Sequence, residues 1–133
     1  MNNVTLAIQK HLSLLDAALD VSSKVLFFAE NHEIEAINLE IENRERLVNL
    51  ISDTQAEIER MITALNPVEL NSDDFTILKL WFADLAKWSD KMLNIDNATL
   101  ELLDQQKEET GKEIGAIFKN KEFHKGYSSQ LKK

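Results

Sequence analysis

Only three glycines and a single proline punctuate these 133 residues, and that scarcity limits the fold more than any other feature. Glycine and proline are the strongest local turn signals, so a chain with so few of them must be built from long elements. Between the breaks, apolar residues recur at three- and four-residue spacing, the period of a helix. No stretch alternates with a period of two between turn signals, so no strand is expected. The pattern predicts an all-α fold: an elongated antiparallel three-helix bundle with a long C-terminal helix and a short flexible tail. The whole of 1–133 reads as one domain, with helices over about 4–30, 33–65 and 73–118 and a basic tail at 119–133.

In the first segment Leu6, Leu12, Leu15, Leu19, Val25, Leu26 and Phe27 fall largely on one helical face, with Asn3 as an N-cap. Asn31-His32 breaks the pattern, asparagine being able to end a helix in the left-handed conformation. The second segment has the cleanest period: Ile34, Ile37, Ile41, Val48, Ile51, Ile58, Ile62 and Leu65 form a heptad seam. Arg44 and Gln55 occupy its two remaining positions. Asn66-Pro67 ends it, since the residue before proline is turned away from helical geometry.

The third segment starts where Ser72 or Asp73 can cap it, with Asp73 and Asp74 complementing the positive end of the helix dipole. Leu78, Phe82, Leu85, Met92, Ile95, Leu102 and Leu103 continue an apolar face, and Trp81 and Trp88 stand one heptad apart. Core packing is the expected role of the two tryptophans, with anchoring of a partner as the alternative. Asn94, Asn97 and Thr99 set polar groups mid-helix, where they restrain register, bond a guest backbone or face water. Unbroken to Phe118, this helix would run to about 69 Å, whereas a compact globule of this size has a radius of gyration of only ~14 Å. It must protrude, bend or pair. Gly111 and Gly115 mark where it would fray.

The net charge of −8 argues against general nucleic-acid binding, which needs a cationic surface. Charge is also uneven. Residues 1–66 hold five Lys and Arg against eleven Asp and Glu, a net of −6, while 119–133 hold five lysines against Glu122, a net of +4. An acidic body with a basic tail points to intramolecular docking, capture of an acidic partner, or a solubilising tail. There is no cysteine, hence no disulfide, thiolate nucleophile or cysteine metal site. Neither a signal peptide nor an apolar run of membrane-spanning length is recognised, so a cytoplasmic protein without membrane insertion is expected.

Enzyme signatures do not emerge. His11, His32 and His124 are scattered and belong to no Glu-x-x-His pair of the kind that holds a di-iron centre. The acids Glu33, Glu35, Glu40, Glu42 and Glu45 flank the second seam as a solvated face rather than a metal cluster. No phosphate-cradling glycine loop or nucleophile elbow is present. No catalytic residue, metal or cofactor is therefore expected. The residues of interest are Ile114, Ile117, Phe118, Phe123 and Tyr127, apolar side chains beyond the reach of the first two helices. An apolar face left over at a helix end can receive another amphipathic helix.

The layout of IEAINLEIENRERLVNLI in the second helix, DNATLELLDQQ in the third and a terminal KGYSS resembles the FlgN/FliT class of flagellar type III export chaperones over roughly Leu6 to Ser129. The FlgN branch is favoured. The resemblance implies a cytoplasmic, non-enzymatic chaperone that binds the C-terminal helical region of a hook-associated (hook–filament junction) or filament-cap protein. It would prevent premature assembly and deliver that cargo to the export gate of the flagellar secretion apparatus. Carried over, the matching positions are Leu100, Leu103, Ile114, Ile117 and Phe118 for cargo binding, and Tyr127 for export-gate docking. The two internal glycines depart from a single rigid cargo helix. The alternative is a coiled-coil adaptor or scaffold, a homodimer held through the second seam.

Overall fold

The computed structural model describes residues 1–106. They form three long helices, α1 (Asn2–Glu30), α2 (Ile34–Thr63) and α3 (Ser72–Gln105), with a single 3₁₀ turn at Pro67–Glu69. Among the described residues there is no strand, and no helix is long and apolar enough to cross a membrane. The expected continuation of the third helix to Phe118, and the tail after it, lie outside the described residues.

The ends of α1 and the start of α3 have identifiable causes. α1 begins two residues earlier than expected. Met1 is its N-cap and makes no side-chain cap, and Asn3 lies inside the first turn. At its other end Asn31 keeps a negative φ of −100° and donates Nδ2–H to the Phe27 carbonyl at 2.8 Å. The left-handed residue is His32, at φ 57°. The amides of His32 and Glu33 donate to Ala29 and Phe28, at 3.3 and 3.0 Å, closing a Schellman motif. Histidine is among the non-glycine residues enriched in that conformation, so the sequence rule that favoured Asn31 fell one residue short.

The α2–α3 connection is pinned by two asparagines. Asn66 accepts from the Val68 amide at 3.1 Å across Pro67. Asn71, rather than Ser72 or Asp73, caps α3: its Oδ1 accepts from the Asp74 amide at 2.9 Å, and Asp74 Oδ2 accepts from the Asn71 amide at 3.1 Å. This capping box satisfies two amides that would otherwise lack partners. Asn71→Ala should therefore lower stability by about 1 kcal/mol, and Asn71→Gly by only a few tenths. Urea titration of the two variants would read this directly; equal losses would mean that the side-chain hydrogen bond, which both variants lack, is the cap's whole contribution.

The core is built from three seams. On α1 the buried positions are Val4, Ile8, His11, Leu15, Ala18, Ser22, Val25 and Ala29, an unbroken four-three alternation. This is not the face that the large side chains suggest: Leu6 and Phe27 are 64% and 57% exposed. Half of the true seam is small or polar, so a reading that follows bulky residues misses it. On α2 the buried set is Ile37, Ile41, Val48, Ile51, Gln55 and Ile58, the anticipated seam. On α3 Trp81 and Trp88 are buried, and Phe82, expected on the core face, is 49% exposed.

Small residues on α1 have a consequence for packing. With Ala18, Ser22 and Ala29 at the contact, α1 lies close against both α2 and α3, whereas α2 and α3, lined by Ile, Trp and Met, approach each other less closely. Contacts along α1 fix the relative register. His11, Leu15, Ser22 and Ala29 meet Trp81, Trp88, Met92 and Gln106 in that order on α3. His11 and Ser22 meet Ile51 and Arg44 on α2. A larger apolar cluster holds Ile8, Leu15, Ile51, Ile58, Trp81, Leu85 and Met92. A smaller one holds Val25, Ala29, Ile37, Ile41 and Leu103.

Candidate functional site

A polar layer separates the two apolar clusters. Arg44 points inward from the α2 seam, donates Nη2–H to Asp96 Oδ2 at 2.5 Å and donates Nε–H to Ser22 Oγ at 3.2 Å. Ser22 in turn donates to Met92 Sδ at 3.4 Å. One side chain from each helix therefore meets in the middle of the bundle. Burial pulls the Arg44 guanidinium below its ordinary pKa, and the Asp96 carboxylate beside it opposes that shift. Thr99, one turn beyond, is also buried and bonds back to the Ile95 carbonyl at 3.0 Å.

A second polar contact lies inside the larger cluster. Trp81 Nε1–H donates to His11 Nδ1 at 3.1 Å, and His11 Nε2 lies 3.2 Å from the Ile51 carbonyl. Because Nδ1 accepts, the proton of the neutral ring must sit on Nε2, which donates to Ile51. The two rings meet edge to face, centroids 5.6 Å apart. Burial pushes His11 down to about 4, only partly offset by the Ile51 carbonyl. Trp88 makes the matching contact one heptad on, donating to the Leu15 carbonyl at 3.0 Å.

These groups are internal and hold the bundle together. The surface feature with binding character is the channel between α2 and α3. Phe75, Phe82, Leu93 and Leu100 are spaced 7, 11 and 7 residues apart. Seven residues fall just short of two helical turns and eleven just exceed three, so all four share one flank of α3. That flank faces α2: Asp96 beside it reaches Arg44, and Leu100 packs on the cluster containing Ile37 and Ile41. The opposite flank of α3, with Asp84, Lys87 and Lys91, instead borders Leu12, Asp16 and Leu19 of α1 in a shallow cleft. Phe75 and Phe82 are 45% and 49% exposed. Across the channel, Asn38, Glu45, Ser52 and Glu59 form a heptad row on α2. Asn38 Oδ1 is buried and has no hydrogen-bond partner among the described residues.

Of the positions singled out for cargo, Leu100 is half-buried at the edge of this channel, and Leu103 is buried among Val25, Ala29, Ile37 and Ile41. Leu103 thus belongs to the chain's own core. Ile114, Ile117, Phe118 and Tyr127 lie outside the described residues. Asn94 and Asn97 are exposed, and Thr99 is the buried member of that polar trio. Sequence reasoning missed Asp96, Ser22 and the buried role of His11. A signal for Asp96 was present, since an arginine in an apolar seam demands an acid on a neighbouring helix. Among the described residues no cluster of three His, Asp or Glu side chains is arranged to hold a metal ion.

Comparison with known proteins identifies no relative: no protein family, no curated protein and no solved structure matches this chain. The observations define a class, an all-helical protein of three long helices, and function is argued from the chain itself.

Proposed function

We propose that this chain is a cytoplasmic export chaperone of the FlgN kind. It holds the C-terminal helical region of a hook-associated or filament-cap protein and passes it to the flagellar export gate. The supporting observation is the apolar stripe of α3 that faces α2, on which Phe75 and Phe82 remain about half exposed beside the core. A cargo end that must polymerise elsewhere has an apolar seam of its own, and a complementary helix face masks it until transfer. Ordering such an end costs several kcal/mol, which keeps the complex releasable. In this reading the bundle is antiparallel, α1 and α3 running together against α2. Leu100 begins a cargo face that Ile114, Ile117 and Phe118 extend, and Tyr127 serves the gate.

The homodimeric scaffold is the weaker reading. It needs the α2 seam for self-association, yet Ile51 and Ile58 are fully buried within the single chain. A pull-down from motile-cell extract, with the intact protein beside a version ending before Gly111, tests the proposal. Recovery of a hook-associated or cap protein by the intact form is the expected result. Recovery of the protein alone, with a doubled mass in solution, would replace the chaperone by the scaffold.

A further inference from the structure

We propose that the α2–α3 channel receives an amphipathic helix from another chain, one with an apolar seam and a cationic edge. The inference rests on the chaperone reading and deepens it, naming the receiving face and the chemistry of its cargo helix. The two walls differ in character. The α3 wall carries apolar side chains at Phe75, Phe82, Leu93 and Leu100, with Ser89 and Asp96 beside them; from Phe75 to Leu100 it spans about 38 Å at 1.5 Å per residue, room for a helix of roughly 25 residues. The α2 wall is polar and acidic. Glu45 and Glu59 stand on it, and α2 as a whole carries seven Asp and Glu against three arginines, of which Arg44 is already held by Asp96. Asn38 adds a buried acceptor oxygen at the Leu100 end, and a buried acceptor is stabilised by a donor.

An occupant that satisfies both walls lays leucines or phenylalanines on the α3 flank and presents Lys or Arg to the α2 row. Apolar contact supplies the affinity, and the acidic wall fixes orientation and rejects acidic helices. A second copy of this chain fits poorly, because its own helices belong to a molecule of net charge −8. The internal competitor is the stretch 119–133, the one strongly cationic part of the sequence.

The test uses the full chain and two synthetic 25-residue helical peptides, about the channel's length, with the same leucine seam and either a lysine or a glutamate edge. The lysine-edged peptide should bind at least roughly tenfold more tightly than its twin, and Phe82→Glu should remove most of that affinity. Phe82 is half exposed and its ring lies 5.0 Å from that of Trp81, so the unfolding temperature of the variant is measured beside the parent's and binding is compared well below both. A Glu45→Lys/Glu59→Lys chain should reverse the preference. Undiminished binding to Phe82→Glu would overturn the proposal, exposing mere attraction to an acidic surface. A fall in parent mass on introducing Phe82→Glu would also overturn it, making a second copy the occupant. So would a rise of about tenfold in peptide affinity when Lys119, Lys121 and Lys125 become glutamine, since the chain's own tail would then hold the channel. Peptide docking without capture of any hook-associated or cap protein would sink the chaperone reading and leave the channel standing. Capture of such cargo equally by parent and Phe82→Glu would do the reverse.

Discussion

Asp96→Leu is expected to destabilise the protein by about 3–5 kcal/mol, the usual cost of leaving one member of a buried ion pair without the other. The Arg44 guanidinium would remain in the bundle interior, still donating to Ser22 Oγ but without the Asp96 carboxylate that now accepts from Nη2. For a domain with about 5–15 kcal/mol of total stability, that loss brings the midpoint of unfolding close to physiological conditions. The double variant Arg44→Met/Asp96→Leu should behave oppositely. With both charges gone and the volume filled by apolar side chains, stability should return to the parent's or exceed it by about 1–4 kcal/mol. Urea unfolding of parent, both single variants and the double variant forms a cycle whose coupling term isolates the pair. Losses in the double variant equal to the sum of the single losses would show that the layer acts as two independent packing sites.

The position of that layer suggests what it does beyond stability. α1 and α2 carry long four-three seams, and such seams can pair in registers displaced by a heptad at modest cost. One charged layer, with Arg44 matched to Asp96 and Ser22 at a single level, makes every displaced register leave a charge buried alone. If this is its role, the stabilised double variant should show broadened amide resonances or altered mass in solution, the marks of alternative pairings. Sharp, unchanged spectra would confine the layer to an energetic role.

The same layer shows how far the sequence could be read. α2 was legible because its seam is made of isoleucines, whose side chains announce both period and face. The polar occupants Arg44 and Gln55 stood out against it. α1 was misread because its seam runs through His11, Ala18, Ser22 and Ala29, residues that hydrophobic pattern gives little weight, while Leu6 and Phe27 on the outer face drew the assignment. The small residues are there because two helices approach α1 closely, a tertiary fact with no local signature. The two ends of α1, the two ends of α2 and the start of α3 were placed within two residues, but the capping residue was wrong three times. Asn3 and Asn31 gave way to Met1 and His32, where backbone geometry decided the matter, and Ser72 or Asp73 gave way to Asn71, whose side chain forms a capping box with Asp74. The channel escaped notice for a further reason. Phe75, Phe82, Leu93 and Leu100 make a stripe only once the 11-residue step between the middle pair is recognised as three turns, and only the position of α2 makes that stripe one wall of a groove.

His11 should give the bundle a pH dependence that carboxylates alone would not. In the unfolded chain its imidazole titrates near 6.5, while in the folded protein burial holds it down to about 4. Between those values the unfolded chain takes up a proton that the native state refuses, so stability is fully present above about pH 6.5 and falls as the pH drops toward 4. A shift of this size corresponds to roughly 3 kcal/mol across the window. The geometry explains the refusal. A proton on Nδ1 would set an N–H against the Trp81 indole N–H that now donates to it, while Nε2 is already committed to Ile51. His11→Gln offers an acceptor and a donor without titrating. Its unfolding free energy, measured from pH 7 to pH 4, should therefore slope less than the parent's by the His11 contribution, even though the swap itself costs some stability at pH 7. Parallel slopes for the two proteins would place the acid sensitivity elsewhere and would mean that Trp81 yields its hydrogen bond as the ring protonates.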